Sequence, residues 1–178
     1  FDNYIFSSIR QNLDGVSNKK KIRVRWYGDQ KQLIKPILEV KSKRGSETRK
    51  ESYKINELDK LKFPSLKSLE IIKDIINIKV KNKKIIYPIL TTNYDRQYFI
   101  SSNGKVRATV DYNLKSTFLK NQSQLEINKN FPYYCILEFK YANNVDKYVR
   151  RNLKEITLRL SKNSKFVNSA FEIPKFYS

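Results

Sequence analysis

The sequence predicts an α+β domain made mainly of antiparallel strands, and three observations lead there. Charged and apolar residues alternate at a spacing of two in four separate segments. Residues two apart share a face of a strand, so each segment has one charged face and one apolar face. Asn103-Gly104, set between two strand-like runs, is a tight hairpin signal. Two further segments repeat apolar residues at helical spacing instead. With 178 residues and no repeat, Pro-rich linker or shift of composition, residues 1–178 read as one domain with a real core.

In chain order, residues 1–20 read as a strand end and a loop, with Asp14-Gly15 and Asn18-Lys19-Lys20 as turn chemistry. A strand follows at 21–28, with Lys21, Arg23, Arg25 and Tyr27 opposite Ile22, Val24 and Trp26. The next, at 36–44, sets Glu39 and Lys41 against Leu38 and Val40, and Asp29-Gln30 between the two suggests a hairpin. Gly45-Ser46 turns the chain into a third strand from Arg49 to Ile55. Pro64-Ser65 opens a helix whose stripe is Leu66, Leu69, Ile72, Ile75 and Ile76. Strands are expected at 84–90, 94–102, 105–112 and 133–141, with Pro88 at an edge or bulge. In the third of these Arg107, Thr109 and Asp111 oppose Val106, Ala108 and Val110; in the last, Glu138 and Lys140 oppose Cys135, Leu137 and Phe139. A second amphipathic helix spans Val145 to Leu160, decorated by Lys147, Arg150, Arg151 and Lys154. Lys162 and Lys165 then read as a solvated loop.

Composition narrows the chemistry. Lys and Arg number 37 against 17 Asp and Glu, a net charge of +20, which implies a polyanionic partner. There is no histidine, so His-based catalysis and His metal ligation are excluded, and a metal bound by oxygen would be Mg²⁺ or Mn²⁺. The one cysteine, Cys135, excludes an internal disulfide, fits a reducing compartment, and is expected to be a small buried residue. No apolar run is long enough to span a membrane. The absence of methionine suggests an excised domain.

The alternating strands admit two arrangements. In one, the apolar faces are packed and the charges point to water. In the other, the charged faces line the inside of a barrel and the apolar faces lie under the helices; charges gathered there require a compensating ligand. Periodicity and composition leave both open. The chain shows no helix-turn-helix, zinc-finger or RNA-recognition motif, which makes nucleic acid the weaker choice of polyanion.

An ordered set of motifs resembles one family. Phe1-Asp2-Asn3 is similar to the end of a Tyr-Phe-Asp-Thr segment, Arg23-Val24-Arg25-Trp26-Tyr27-Gly28 to an Arg-x-Arg-x-Tyr-Gly strand, and Leu38-Glu39-Val40-Lys41 to a Glu-x-Lys strand followed by basic residues, here Arg49-Lys50. Tyr94-Asp95-Arg96 and the run from Val106 to Asp111 resemble a Tyr-x-Arg and Val-Arg-x-Thr-x-Asp hairpin, and Leu137-Glu138-Phe139-Lys140 a late Leu-Glu-x-Lys strand. These are motifs of the VTC domain, the polyphosphate polymerase domain of the vacuolar transporter chaperone complex, within the triphosphate tunnel (CYTH-like) superfamily.

The resemblance implies an antiparallel β-barrel of about eight strands with flanking helices. It also implies transfer of the ATP γ-phosphate to a polyphosphate chain, with Mn²⁺ or Mg²⁺. Arg23, Arg25, Lys41, Arg96 and Arg107 become phosphate ligands that carry the reaction. Lys50, Tyr94, Lys140 and Ser178 become substrate contacts, and Glu138, with Glu39, the metal ligands. Relative to the family, a Glu-x-Lys strand would precede Phe1 and a lysine would follow Ser178; Lys175 does not replace it, since it comes before the serine. A hydrolase of the same superfamily, acting on inorganic or nucleoside triphosphates, and a non-catalytic binder of polyanions or nucleic acid are the alternatives. A cytoplasmic setting is expected, with any membrane contact made through regions or subunits outside this chain.

Overall fold

Two antiparallel sheets and four α-helices form the protein in a computed structural model that describes residues 1–3, 6–28, 31–80, 85–120, 125–131, 133–156, 161 and 163–171. The first sheet has strand order β1-β2-β3, from Lys19–Arg25, Ile37–Arg44 and Glu47–Lys54. The second contains β4 (Leu90–Ile100), β5 (Val106–Lys120), β6 (Leu125–Phe131) and β7 (Ile136–Tyr141). β5 pairs with β4 along one edge; along the other it pairs first with β7 and then with β6. Among the described residues no strand pair joins the two sheets into a closed barrel.

The apolar faces of the first sheet make the main core. Leu38 and Val40 are buried, and Ile22, Val24 and Tyr53 pack against the same cluster. Above them lies α2 (Leu66–Val80), which buries Ile72, Ile76 and Val80. Each such side chain contributes about 1.5–3 kcal/mol relative to exposure. Leu66, expected in that stripe, is instead 62% exposed at the first residue of the helix. The start of α2 is held by a reciprocal pair: the Ser68 N–H donates to Ser65 Oγ and the Ser65 N–H to Ser68 Oγ, satisfying two otherwise unpaired donors.

Several elements depart from the sequence expectation. Residues 7–13, expected as loop, form α1 (Ser7–Leu13). Its cause is the fully buried Asp2, whose carboxylate accepts from the backbone N–H groups of Ser8 and Ile9. β1 ends at Arg25, so Trp26 and Tyr27 leave the strand; Trp26 packs on Phe63 with ring centroids 5.1 Å apart. β1 and β2 pair antiparallel as the expected hairpin, joined by a long connection anchored by buried Leu33, in which Asp29-Gln30 lie outside the described residues. The expected strand at 84–90 reduces to one bridge between Tyr87 and Asp2, and β4 begins only at Leu90, after Pro88. β5 runs eight residues past its expected end, and β6 follows where no strand was expected. The second helix, α3, spans only Asp146–Leu153. Cys135 is exposed, since it lies just before β7 and not on a packed face. Val106 and Leu137, expected under helices, are only half-buried and belong to neither buried cluster.

α4 (Lys165–Phe171) was expected as solvated loop. It packs Ala170 against Ile9 and Ile89 in a second, smaller core. No helix of the described residues is long and apolar enough to cross a membrane.

Candidate functional site

The register places the charged residues of each sheet side by side. In the first, Lys21 stands opposite Lys41 and Lys41 opposite Lys50, while Arg23 stands opposite Glu39. Directly paired residues of an antiparallel ladder project from the same face. One face of this sheet therefore carries Lys19, Lys21, Arg23, Arg25, Lys41, Lys43, Lys50 and Lys54 around a single carboxylate, Glu39.

Glu39 is the electrostatic centre of this face. Its side chain is 3% exposed, and three cations converge on it. The Arg23 Nε donates to Oε2 at 2.6 Å, Lys50 Nζ lies 2.6 Å from Oε1, and Arg25 Nη2 lies 3.3 Å from the same oxygen. Burial by itself would push the carboxyl up. Hydrogen bonds from Lys50 and Arg23, with the charges of Arg23 and Arg25, outweigh that and hold it below the usual carboxylate range. Lys21 shows the opposite stress: burial, then repulsion from Lys19 and Lys41, lowers its affinity for its proton. The basic residues outnumber what one carboxylate can neutralise.

The second sheet repeats the arrangement. Arg96 and Asp111 are register partners, and the guanidinium forks onto the carboxylate: Nε to Oδ1 at 2.5 Å and Nη2 to Oδ2 at 2.6 Å. Lys165 Nζ of α4 donates to the same Oδ2. Asp111 is 2% exposed; burial would raise its carboxyl, and the hydrogen bonds from Arg96 and Lys165 lower it overall. The bond to Asp111 in turn holds the Arg96 proton more tightly than usual. Tyr94 lies under both cations, with Arg96 Cζ 5.2 Å and Lys165 Nζ 4.4 Å from its ring centre.

A β-bulge makes this meeting possible. Asn93 pairs with Lys115 and Asp95 with Tyr112, so the single residue Tyr94 opposes two, Asn113 and Leu114. Asn113 takes a left-handed conformation (φ 53°) there and donates through Nδ2 to Asp95. The extra residue shifts the alternation by one. Asp111 before the bulge and Ser116 after it consequently both reach α4, through Lys165 and through the buried pair of Ser116 and Ser169 hydroxyls at 2.5 Å.

On the same face of the second sheet, Tyr98, Thr109 and Glu138 stand side by side across three strands, and so do Ile100, Arg107 and Lys140. Glu138 is 45% exposed, and Lys140 Nζ lies 3.4 Å from its Oε1. The Thr109 hydroxyl is buried without a hydrogen-bond partner among the described residues. Burial raises the proton affinity of the Tyr94 hydroxyl, and the charges of Arg96 and, from the first sheet, Arg23 oppose it.

Thus Arg23, Arg25 and Lys50 meet at Glu39, Arg96 meets Asp111, and Tyr94 packs its ring against Arg96. Lys41 is exposed on the first charged face; Arg107, Glu138 and Lys140 lie on the second. Ser178 lies outside the described residues, as does Lys162. Sequence reasoning missed Lys165, which is not solvated but 19% exposed. The apolar spacing of Phe166, Val167 and Ala170 on a short helix was the available signal.

A family model described as VTC domain matches residues 1–171. No curated protein matches the chain.

Proposed function

The chain belongs to the VTC domain family, and from that premise we propose that it is a phosphotransferase which moves the γ-phosphate of ATP onto a polyphosphate chain between the charged faces of its two sheets. One observation carries this reading: Glu39, Thr109 and Asp111, polar residues on those faces, are buried amid an excess of Lys and Arg. The two carboxylates are already covered by cations, and Arg23 and Lys50 still stand 61% and 53% exposed, with charge left for a further anion. Basic faces with more cations than their carboxylates can neutralise want a polyanion, and a tunnel closed by further strand pairing is the arrangement we infer.

Phosphoryl transfer asks of a protein mainly positioning and charge stabilisation. Arg23, Arg25 and Arg96 have planar guanidinium groups that stay charged and donate in a fork to phosphate oxygens. Arg107, Lys41 and Lys140 extend the row along the chain of phosphates. An ionised terminal oxygen of polyphosphate attacks the γ-phosphorus, a new P–O–P bridge forms, the β–γ bridge breaks, and ADP leaves with the electron pair. The nucleophile needs no general base, because it carries no proton.

A divalent ion fits this arrangement at Glu138. No group of three potential protein ligands occurs among the described residues, so phosphate oxygens and water would have to complete the coordination of Mg²⁺ or Mn²⁺ there. Half-exposed Glu138 has oxygens to spare, whereas those of Glu39 are already taken by cations. The bound ion would neutralise charge between the reacting phosphates. Glu138→Gln is expected to lower metal-dependent turnover about 100-fold while shifting the melting temperature by less than about 2 °C. Unchanged turnover would remove Glu138 from the metal site.

The proposal is tested by incubation with ATP and Mn²⁺ and analysis of products: long polyphosphate supports it, and orthophosphate alone indicates the hydrolase. Binding is read separately by thermal shift. Saturating tripolyphosphate should raise the melting temperature by about 5–10 °C, as ligand binds only the folded state. Arg25→Ala and Arg107→Ala should lose most of that shift. Lys147→Ala, at an exposed position of α3, should keep it. A larger shift with a short single-stranded oligonucleotide, lost equally on all three changes, would point to nucleic acid instead.

A further inference from the structure

We propose that Tyr98 and Ile100 form a shelf for the nucleobase of the nucleoside triphosphate, at the hairpin end of the basic face. The inference rests on the phosphate-site reading above and goes beyond it by assigning the part of the substrate that is not phosphate.

Both residues lie on the charged face by register, Tyr98 opposite Thr109 and Ile100 opposite Arg107. They are nevertheless 66% and 67% exposed. A tyrosine and an isoleucine standing in water at the edge of this face, beside Arg96, Arg107 and Lys140, belong to neither buried cluster. Ile100 has no group that binds phosphate, and the Tyr98 ring offers far more apolar surface than its one hydroxyl. An apolar surface continuous with a phosphate row suits a ligand with an anionic end and a flat apolar end, and a nucleotide is such a molecule.

The surroundings support a stacking role. Arg96 Cζ lies 5.8 Å from the Tyr98 ring centre and 5.2 Å from that of Tyr94, so the guanidinium stands between two rings and stiffens the outer one. One ring face of an exposed tyrosine remains for a base. Beside it, the buried Thr109 hydroxyl lacks a partner among the described residues, and Glu138 follows on the next strand. An unpaired buried hydroxyl is costly until something bonds to it, and a sugar or α-phosphate oxygen reaching in from the shelf would do so. From there the phosphates run along the face toward Arg96, with Arg107 and Lys140 beside the shelf.

The shelf offers a ring and an aliphatic side chain but no set of donors and acceptors for base edges. Stacking tolerates any base, since every base has a π-face. ATP and GTP should therefore bind within about 3-fold of each other, with pyrimidine nucleotides weaker.

The test measures the affinity of ATP and, separately, of tripolyphosphate, by calorimetry on wild type, Tyr98→Ser, Tyr98→Phe and Ile100→Ser. Tyr98→Ser should weaken ATP about 5- to 30-fold and leave tripolyphosphate within 2-fold. Tyr98→Phe should retain ATP binding, and Ile100→Ser should weaken ATP about 3- to 5-fold. Both positions are exposed, so melting temperatures should stay close to wild type. If Tyr98→Ser weakens both ligands equally, Tyr98 acts only as a prop for Arg96 and the shelf is wrong. If wild type binds tripolyphosphate but Tyr98→Ser leaves ATP unaltered, the shelf alone fails. If wild type binds neither ligand, the phosphate-site reading fails and the shelf with it.

Discussion

Glu39→Ala is expected to lower folding stability by about 2–3 kcal/mol, or about 5–10 °C in melting temperature, at neutral pH. Glu39 sits on the middle strand of its sheet and gathers Arg23 and Arg25 from one neighbour and Lys50 from the other. Its removal leaves three cations facing one another among further lysines. Breaking a buried ion pair costs about 3–5 kcal/mol. The lower figure applies here because Arg23 and Lys50, 61% and 53% exposed, can turn toward water.

The pH dependence follows from the sign of the shift. The folded-state carboxyl of Glu39 titrates below its unfolded value of about 4.3. Its contribution is fully present above that value and disappears as pH falls through the lower folded value. Wild type should lose stability steeply below about pH 4, and Glu39→Gln, with no carboxylate to protonate there, should lose less. A further consequence separates this site from an ordinary ion pair. Tripolyphosphate can supply the charge the variant lacks, so the thermal shift it produces should be larger in Glu39→Ala than in wild type. Melting curves at several pH values, with and without tripolyphosphate, measure all three effects. A variant as stable as wild type at pH 7 would mean that the three cations need no partner.

What was legible in the sequence was whatever repeats locally. The alternation in β1 and β2, the Asn-Gly turn between β4 and β5 and the stripe of α2 each depend on residues a few positions apart, and they stand close to where the spacing puts them. What was missed depends on partners far along the chain. α1 exists because a buried aspartate before it takes its free N–H groups, an effect that hydrophobic spacing does not register. β5 looked finished near Tyr112 because Asn113 reads as a turn residue, whereas its left-handed conformation makes a bulge and the strand continues. β6 carries Leu125, Ile127 and Phe131 at strand spacing, but the polar run before it and the asparagines within it hide the pattern. The charged residues around Glu39 and Arg96 were picked out by alternation together with the family motifs, while their grouping about two carboxylates is a matter of register, which sequence spacing alone leaves open.

Lys165 is the sharpest case of such a miss, and Lys165→Met is expected to reduce turnover about 100-fold with a loss of only about 1 kcal/mol in stability. The seven residues of α4 make barely two turns, too few for a helical period to stand out, and Ser161, Asn163 and Ser164 before them read as loop. Tertiary contacts fix the helix instead. Ser169 bonds to Ser116, Ala170 is buried, and Lys165 then points at Asp111 and the Tyr94 ring. Arg96 keeps Asp111 paired when the ammonium is removed, so the fold should survive. The phosphate site should not be so tolerant. Lys165 and Arg96 share one carboxylate, which leaves the pair a net positive charge beside the route of the phosphates. A phosphate oxygen arriving there can draw the flexible ammonium off Asp111, while the forked Arg96 stays in place. Lys165→Arg should then recover a substantial part of the activity, since it restores the charge, and Lys165→Met none. Both are compared by polyphosphate formation from ATP and by melting temperature. If Lys165→Met keeps full turnover, α4 only packs against the sheet; if it unfolds the protein and Lys165→Arg refolds it without activity, the contact with Asp111 is structural and the phosphate role is wrong.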